Sequence, residues 1–135
     1  MISVQVKVTY SGPRTPEINQ AVGRGLLAAA NLHRNESVRL ILQGPKSGHK
    51  YGRHQASAPG EPPASDTGRL ANSISVRHEA GSLTASVVCS ASYGLALEIG
   101  TPHIRPRPFL RPPLASKRGE IIAAINKPVA KLFGA

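Results

Sequence analysis

Histidine is the side chain in this sequence that is best suited to acid–base or metal chemistry near neutral pH. The histidines are His33, His49, His54, His78 and His103. No two of them have the H-x-x-x-H or H-E-x-x-H spacing that would place two metal ligands on one helix face. His49 and His54 share a segment with Lys46, Lys50 and Arg53, which favours a cationic contact surface over a pair of metal ligands. We therefore expect no metal site and no cofactor.

Carboxylates are few, with 7 Asp plus Glu against 17 Lys plus Arg, and no two of them form an evident acid–base pair. Glu98 lies in an apolar stretch and soon precedes Arg105 and Arg107, so a structural ion pair with an arginine is favoured over a catalytic role. The sequence has no G-x-x-x-x-G-K-[ST] phosphate loop and no G-x-S-x-G motif. We predict that the protein is not an enzyme and has no catalytic residues. A small hydrolase or nuclease that uses the histidine-rich segment is the weaker alternative.

A formal net charge of +10 on 135 residues predicts a positive field over much of the surface. Such a field favours an acidic partner, either nucleic acid or an acidic protein neighbour in an assembly. The sequence has no convincing helix-turn-helix pattern and no aromatic RNA-binding strand, and Tyr51 is the single aromatic residue among basic ones. Nonspecific contact with DNA therefore remains open, whereas sequence-specific binding is disfavoured.

The cellular compartment is indicated by cysteine usage and hydropathy. Cys89 is the only cysteine, so no intrachain disulfide can form. The first residues alternate polar and apolar side chains, unlike a signal peptide, and no window approaches the run of about 20 apolar residues that a membrane span needs. We expect a protein without a membrane partner, made and used in a cytoplasm-like compartment.

Local patterns divide the N-terminal half into a strand, a long helix and a loop. Residues 2–10 alternate as a half-buried strand does. Thr15-Pro16-Glu17 is typical of a helix start, and apolar residues at three-to-four spacing extend this helix to the loop. Gly23 and Gly25 inside the helix indicate close packing or a local bend. Residues 43–65 are rich in Gly and Pro without apolar periodicity, so we expect a long flexible loop.

The next segments predict a short helix and a hairpin. Asp66 or Thr67 can cap the short helix, and strands over 74–79 and 83–90 flank a glycine-containing turn. We therefore expect one α+β domain over residues 1–135, in which a small antiparallel sheet carries two amphipathic helices on one face.

The second long helix is expected over residues 115–133, with Pro128 kinking it or ending it early. It is preceded by a short helix that starts at Tyr93 and stops at Gly100. Between the two helices, the prolines of residues 101–113 predict an extended strap, because each fixes φ and removes a backbone donor. We expect Phe109 to be exposed on this strap and to contact a partner.

Three blocks together resemble the small neck proteins of long-tailed phages and prophages, which are described as tail completion or head-to-tail joining proteins. The blocks are Ala56-Ser-Ala-Pro-Gly-Glu-Pro-Pro-Ala-Ser-Asp-Thr-Gly-Arg-Leu-Ala-Asn-Ser-Ile74, Tyr93-Gly-Leu-Ala-Leu-Glu-Ile-Gly-Thr101 and Arg105-Pro-Arg-Pro-Phe-Leu-Arg-Pro-Pro-Leu114. The family more often has Ala-Pro after the tyrosine and Phe before the glycine, where this chain has Gly94-Leu95 and Ile99.

The resemblance implies a structural virion protein without enzymatic activity. It implies a ring, with a hexamer expected, at the head-proximal end of the tail, assembled in the bacterial host cytoplasm. Its partners would be other copies of itself, a tail terminator or tail tube protein, and head connector or head-closure proteins. A basic ring could also touch DNA in the channel. A basic nonspecific DNA-binding module is the alternative function.

Residue type and segment context predict two groups of functional residues. The predicted subunit or partner contacts are Tyr51, Arg53, His54, Arg69, Arg105, Arg107, Phe109 and Arg111. The predicted structural residues are Gly68, Tyr93, Glu98, Gly100 and Thr101.

Overall fold

The computed structural model describes residues 2–9, 15–48, 50–51, 54–64 and 68–134. Its elements in chain order are β1 (Ile2–Lys7), α1 (Pro16–Gln43), β2 (Lys50–Tyr51), β3 (His54–Gln55), α2 (Arg69–Asn72), β4 (Ile74–His78), β5 (Thr84–Cys89), α3 (Gly94–Ile99), α4 (Arg111–Ser116) and α5 (Arg118–Leu132). The predicted α+β class is confirmed.

The main sheet is antiparallel, with strand order β1-β5-β4. Its register aligns Ile2 with Cys89 and Cys89 with Ile74, so apolar side chains form rows on one face. The strict alternation of β1 follows from its period-two sequence. The predicted hairpin is confirmed as β4–β5. β1 ends at Lys7, earlier than predicted, and Tyr10 lies outside the described residues.

Helix α1 begins and ends at residues that the sequence predicts. The Thr15 hydroxyl oxygen accepts a hydrogen bond from the Ile18 N–H at 3.3 Å, and Pro16 occupies the first turn, where no intrahelical donor is lost. The helix runs unbroken to Gln43. Its apolar face packs on β4 and β5, where residues such as Leu26 are fully buried.

Helix α5 packs on α1 and runs back along it. Lys117, just before α5, interacts electrostatically with Glu36 in the second half of α1. Further along α5, Ile125 lies against Gly25 in the first half of α1, because a Cβ built on Gly25 would lie 2.9 Å from the Ile125 Cα. Gly25 is therefore the close-packing position that the sequence indicates. The two predicted helices form successive layers on the sheet, because α5 packs chiefly on α1.

The expected single closing helix is wrong, and of the two effects expected at Pro128, a kink or an early end, the early end is wrong. It is divided at Lys117, whose φ of -109° and ψ of 15° are not helical, into α4 and α5. Pro128 lies inside α5, which continues to Leu132. The proline therefore does not end the helix.

The loop that follows α1 contains the two short paired strands β2 and β3, which the sequence did not predict. Backbone N–H groups of Ser47 and Ala58 donate to Glu61 at 2.8 and 2.7 Å, and these bonds lower the pKa of Glu61. The flexibility of residues 43–65 stays a prediction. The predicted caps Asp66 and Thr67 lie outside the described residues.

Candidate functional site

The buried carboxylate of Glu98 binds three consecutive backbone N–H groups of the proline-rich segment. Its Oε2 accepts from Phe109 at 2.7 Å and from Leu110 at 3.0 Å, and its Oε1 accepts from Arg111 at 2.7 Å. Glu98 is only 2% exposed. We call this arrangement the Glu98 clasp. Ionised acceptors make hydrogen bonds about twice as strong as neutral ones, so the clasp joins α3 firmly to the start of α4.

The predicted ion pair between Glu98 and an arginine is wrong. Within the described part of the chain, no arginine lies within ion-pair distance of Glu98. A sequence signal for the observed partners exists, because Pro108 and Pro112 lack N–H groups and bracket three residues that have them. A buried carboxylate needs such donors when no cation is near.

Helix α3 ends where the chain turns back towards the clasp. Gly100 has a φ of +79°, and a Cβ there would lie 2.9 Å from the Ile104 carbonyl oxygen, so glycine is required on both grounds. The Thr101 hydroxyl oxygen then accepts from the N–H groups of His103 and Ile104 at 3.2 and 3.0 Å. The predicted structural roles of Gly100 and Thr101 thus have a physical basis in this turn.

The predicted strap over 101–113 is wrong at both ends. Residues 101–104 form the hydrogen-bonded turn, and Arg111 to Pro113 are already helical because α4 begins at Arg111. Pro112 and Pro113 fit the first turn of a helix, whose N–H groups have no intrahelical partner. These prolines were expected to hold the chain extended, but at this position they fit the start of a helix.

The predicted exposure of Phe109 is wrong. Its side chain is 0% exposed and is the largest of the fully buried side chains. It belongs to the core cluster together with Leu110. The clasp explains this, because it satisfies the N–H groups of both residues inside the core. Phe109 anchors the strap in its own domain and is not available as a partner contact.

His33 of α1 adds a second polar contact to the same segment. Its Nε2–H donates to the Leu110 carbonyl oxygen at 2.6 Å, and its side chain is 1% exposed. Burial lowers the pKa of His33, and this effect outweighs the opposing influence of the Leu110 carbonyl and of Glu98. The Nδ1 atom has no hydrogen-bond partner among the described residues. A neutral imidazole therefore fits this position.

The predicted arginine contacts have different environments. Arg105 is exposed and Arg107 is half-buried. The Arg107 side chain donates through Nε to the Ser57 carbonyl oxygen at 3.4 Å, which ties the strap to the long loop. The side chain of Arg111 is exposed at the start of α4, and that of Arg69 at the start of α2.

The remaining predicted residues are less informative. Gly68 precedes α2 with a φ of +76°, which accounts for glycine there. Tyr93 is 38% exposed at the start of α3. Tyr51 pairs with His54 between β2 and β3, and Arg53 lies outside the described residues. The structure does not test the contact roles of Tyr51, Arg53 and His54.

A surface missed by the sequence analysis lies on the outer side of the clasp. Leu95, Ile99 and Ile104 are 47%, 46% and 43% exposed. Leu95 and Ile99 are four residues apart, so they lie on the same face of α3. Ile104 follows on the Thr101 turn. We call these three residues the apolar ridge. The spacing of Leu95 and Ile99 around a buried Glu98 is the signal that could have revealed it.

Among the described residues, no group of three or more His, Cys, Asp or Glu side chains is placed to hold a metal ion. None of the described helices is long and apolar enough to cross a membrane.

Comparisons with protein-family models, with curated proteins and with solved structures found no match. The class of protein that the fold itself defines is a small α+β domain with an internally clasped strap. A particular function can therefore be proposed only from the residues and their geometry.

Proposed function

We propose that the chain is a structural protein of a phage neck, which forms a ring at the head-proximal end of the tail and joins the tail to the head. A hexamer is the expected ring. The partners are other copies of the chain, a tail terminator or tail tube protein and head connector or head-closure proteins. The protein acts without catalysis and without a cofactor.

The observation that carries this proposal is the meeting of the three resemblance blocks in one structural unit. The second and third blocks are joined by the Glu98 clasp. The first block is joined to the third through Gly60, whose N–H donates to the Pro106 carbonyl oxygen at 2.9 Å, and through Arg107 and Ser57. Sequence blocks that are distant along the chain thus contact one another in the structure, as expected if they mark a family.

The surface of this unit also supports an assembly role. The clasp and the Thr101 turn fix the backbone beneath the apolar ridge, so the ridge is held in position before any partner arrives. Preorganised apolar side chains on a rigid support favour protein–protein contact, because little conformational entropy is lost on binding. Exposed apolar patches of this kind commonly mark interaction sites.

The net charge of +10 has a role in the proposed ring. Copies arranged around a DNA channel would present a positive field to phosphates, and contact would need no base recognition. The same charge supports the alternative function, a basic nonspecific DNA-binding module. Salt-dependent binding of duplex DNA by the isolated monomer at physiological ionic strength would favour that alternative.

Deletion of the gene from its phage or prophage tests the proposal. We expect tails of normal length and DNA-filled heads that remain separate in electron micrographs, with joining restored when the wild-type chain is supplied in trans. A matched complementation with the Glu98→Ala chain, whose clasp is lost, should restore joining poorly. Joined, infectious particles in the deletion strain would refute the proposal.

A further inference from the structure

An open cleft lies between the first half of α1 and the last part of α5. Its volume is about 580 Å³. Helix α5 borders it beyond Ile125, whose backbone lies against Gly25 of α1. Three of the lining residues are exposed cations, and none of those that the structure describes is acidic. The lining residues are Arg24, Lys127, Pro128, Lys131 and Leu132. We call this feature the cationic cleft.

The opposite end of the same two helices is different, because cations there have acidic neighbours. Arg39 of α1 is paired with Glu36 at 2.6 Å, and Lys117 lies 3.7 Å from Glu120. Within the described ranges of the chain, no carboxylate lies within ion-pair distance of the three cations of the cleft. The positive charge of the cleft is therefore left for an anionic partner to compensate.

Two exposed carboxylates, Glu17 and Glu79, belong to neighbouring segments. Glu17 precedes Arg24 by seven residues on α1, which is about 10 Å along the helix axis. Glu79 lines a separate hollow together with Arg77. Neither carboxylate lines the cleft, and the charge of Arg77 accompanies that of Glu79. The field at the cleft therefore stays positive.

The cleft fits a polyanion better than it fits a single small anion. A site for one small anion relies on preorganised N–H donors, as at a helix N-terminus. The cleft instead borders the C-terminal end of α5, where carbonyl oxygens are left without helix partners. Its positive charge is on long, exposed side chains. A partner whose negative charge is distributed along a backbone needs only such cations on an open surface.

The same lining favours a nucleic acid over an acidic protein. A protein partner gains most of its affinity from apolar and aromatic anchors in buried pockets. Among its described lining residues the cleft offers one large apolar side chain, that of Leu132, which is 42% exposed. Phosphate contacts need no such anchors, because the release of counterions supplies the affinity.

We propose that the cationic cleft binds the phosphate backbone of duplex DNA through Arg24, Lys127 and Lys131. In the ring, the end of the α1–α5 pair that carries the cleft would then face the channel. Three phosphate contacts bind weakly in one copy, and the ring repeats them in every subunit. This inference rests on the neck function proposed above and names the surface that meets DNA.

Two triple variants of equal net charge test the cleft. The control removes exposed cations from β1 and from the opposite end of the helix pair. The cleft variant is Arg24→Gln/Lys127→Gln/Lys131→Gln, and the control variant is Lys7→Gln/Arg39→Gln/Arg118→Gln. Binding of a short labelled DNA duplex by the full chain is followed by fluorescence anisotropy over a range of salt concentrations. Circular dichroism melts check that both variants remain folded.

The salt dependence of binding gives the expected magnitude. The logarithm of the affinity for duplex DNA falls with the logarithm of the salt concentration, by about 0.9 for each phosphate contact. The loss of three contacts should therefore reduce the slope of the cleft variant by about 2.7. Raising the salt from about 50 to about 200 mM should then weaken wild type about 40-fold more than the cleft variant. The control variant should reduce the slope by less than about 1.

Three results would overturn the assignment. The first is an equal slope for the cleft and control variants, and the second is no binding by wild type at about 50 mM salt. The third is a polyglutamate peptide that binds more tightly than the duplex through the same three cations, because it would identify an acidic protein as the partner. The neck function is decided separately by the gene-deletion phenotype. Joined particles in the deletion strain, together with a reduced slope for the cleft variant, would leave the DNA surface standing and refute the neck function alone.

Discussion

Replacing Glu98 should reveal how much the clasp contributes to folding. With Glu98→Gln, the amide oxygen can keep the two bonds that Oε2 accepts, but its NH₂ group faces the N–H of Arg111. One charge-assisted bond is lost and two are weakened, so we expect a loss of about 2–3 kcal/mol in the free energy of unfolding. Glu98→Ala leaves two donors unsatisfied in fully buried residues, Phe109 and Leu110. At about 2 kcal/mol each, the expected loss is about 4 kcal/mol.

Urea titrations followed by circular dichroism at low protein concentration measure these losses. Glu120→Gln is the matched control, because Glu120 is exposed and its nearest cation, Lys117, lies 3.7 Å away. The control should change stability by no more than about 0.5 kcal/mol. Equal stabilities for Glu98→Gln, Glu98→Ala and Glu120→Gln would refute the clasp. Backbone hydrogen exchange at residues 109–111 should also be faster in Glu98→Ala than in wild type.

Substitutions at Gly25, Gly100 and His33 give three further predictions for stability. Gly25→Ala should lower the free energy of unfolding by about 1–3 kcal/mol, because its Cβ would meet the Ile125 backbone. In the control Gly119→Ala the new Cβ meets nothing, so this variant should be neutral or slightly stabilised in thermal melts. Gly100→Ala should lower the free energy of unfolding by more than about 1 kcal/mol, because residues with a side chain rarely adopt a φ of +79°. An unchanged melting temperature would contradict this prediction. The unfolded chain protonates His33 near pH 6.5, and the folded chain does so at lower pH. Stability should therefore fall as pH drops below about 6.5, with a slope that His33→Gln reduces; equal slopes for wild type and variant would contradict this.

Elements governed by local patterns were predictable from the sequence. The alternation of β1, the Thr15 cap of α1 and the β4–β5 hairpin each depend on neighbouring residues. The stop of α3 at Gly100 is equally local, because it needs a positive φ.

Features that depend on distant contacts were mispredicted. Phe109 was expected at the surface because its neighbours are prolines and arginines, but burial is decided by the clasp from Glu98 and by the carbonyl contact of Leu110 with His33. The partners of Glu98 are backbone N–H groups, which side-chain patterns do not display. Only the proline bracketing around residues 109–111 hints at them.

The most direct test of the proposed neck function is to locate the protein in assembled particles. An antibody fragment against the chain, imaged on purified virions by cryo-electron microscopy, should label a ring at the junction between head and tail. The separate tails that form without the chain should lack this ring at their head-proximal ends. Labelling confined to the distal tail tip, or none on virions that contain complete necks, would contradict the account.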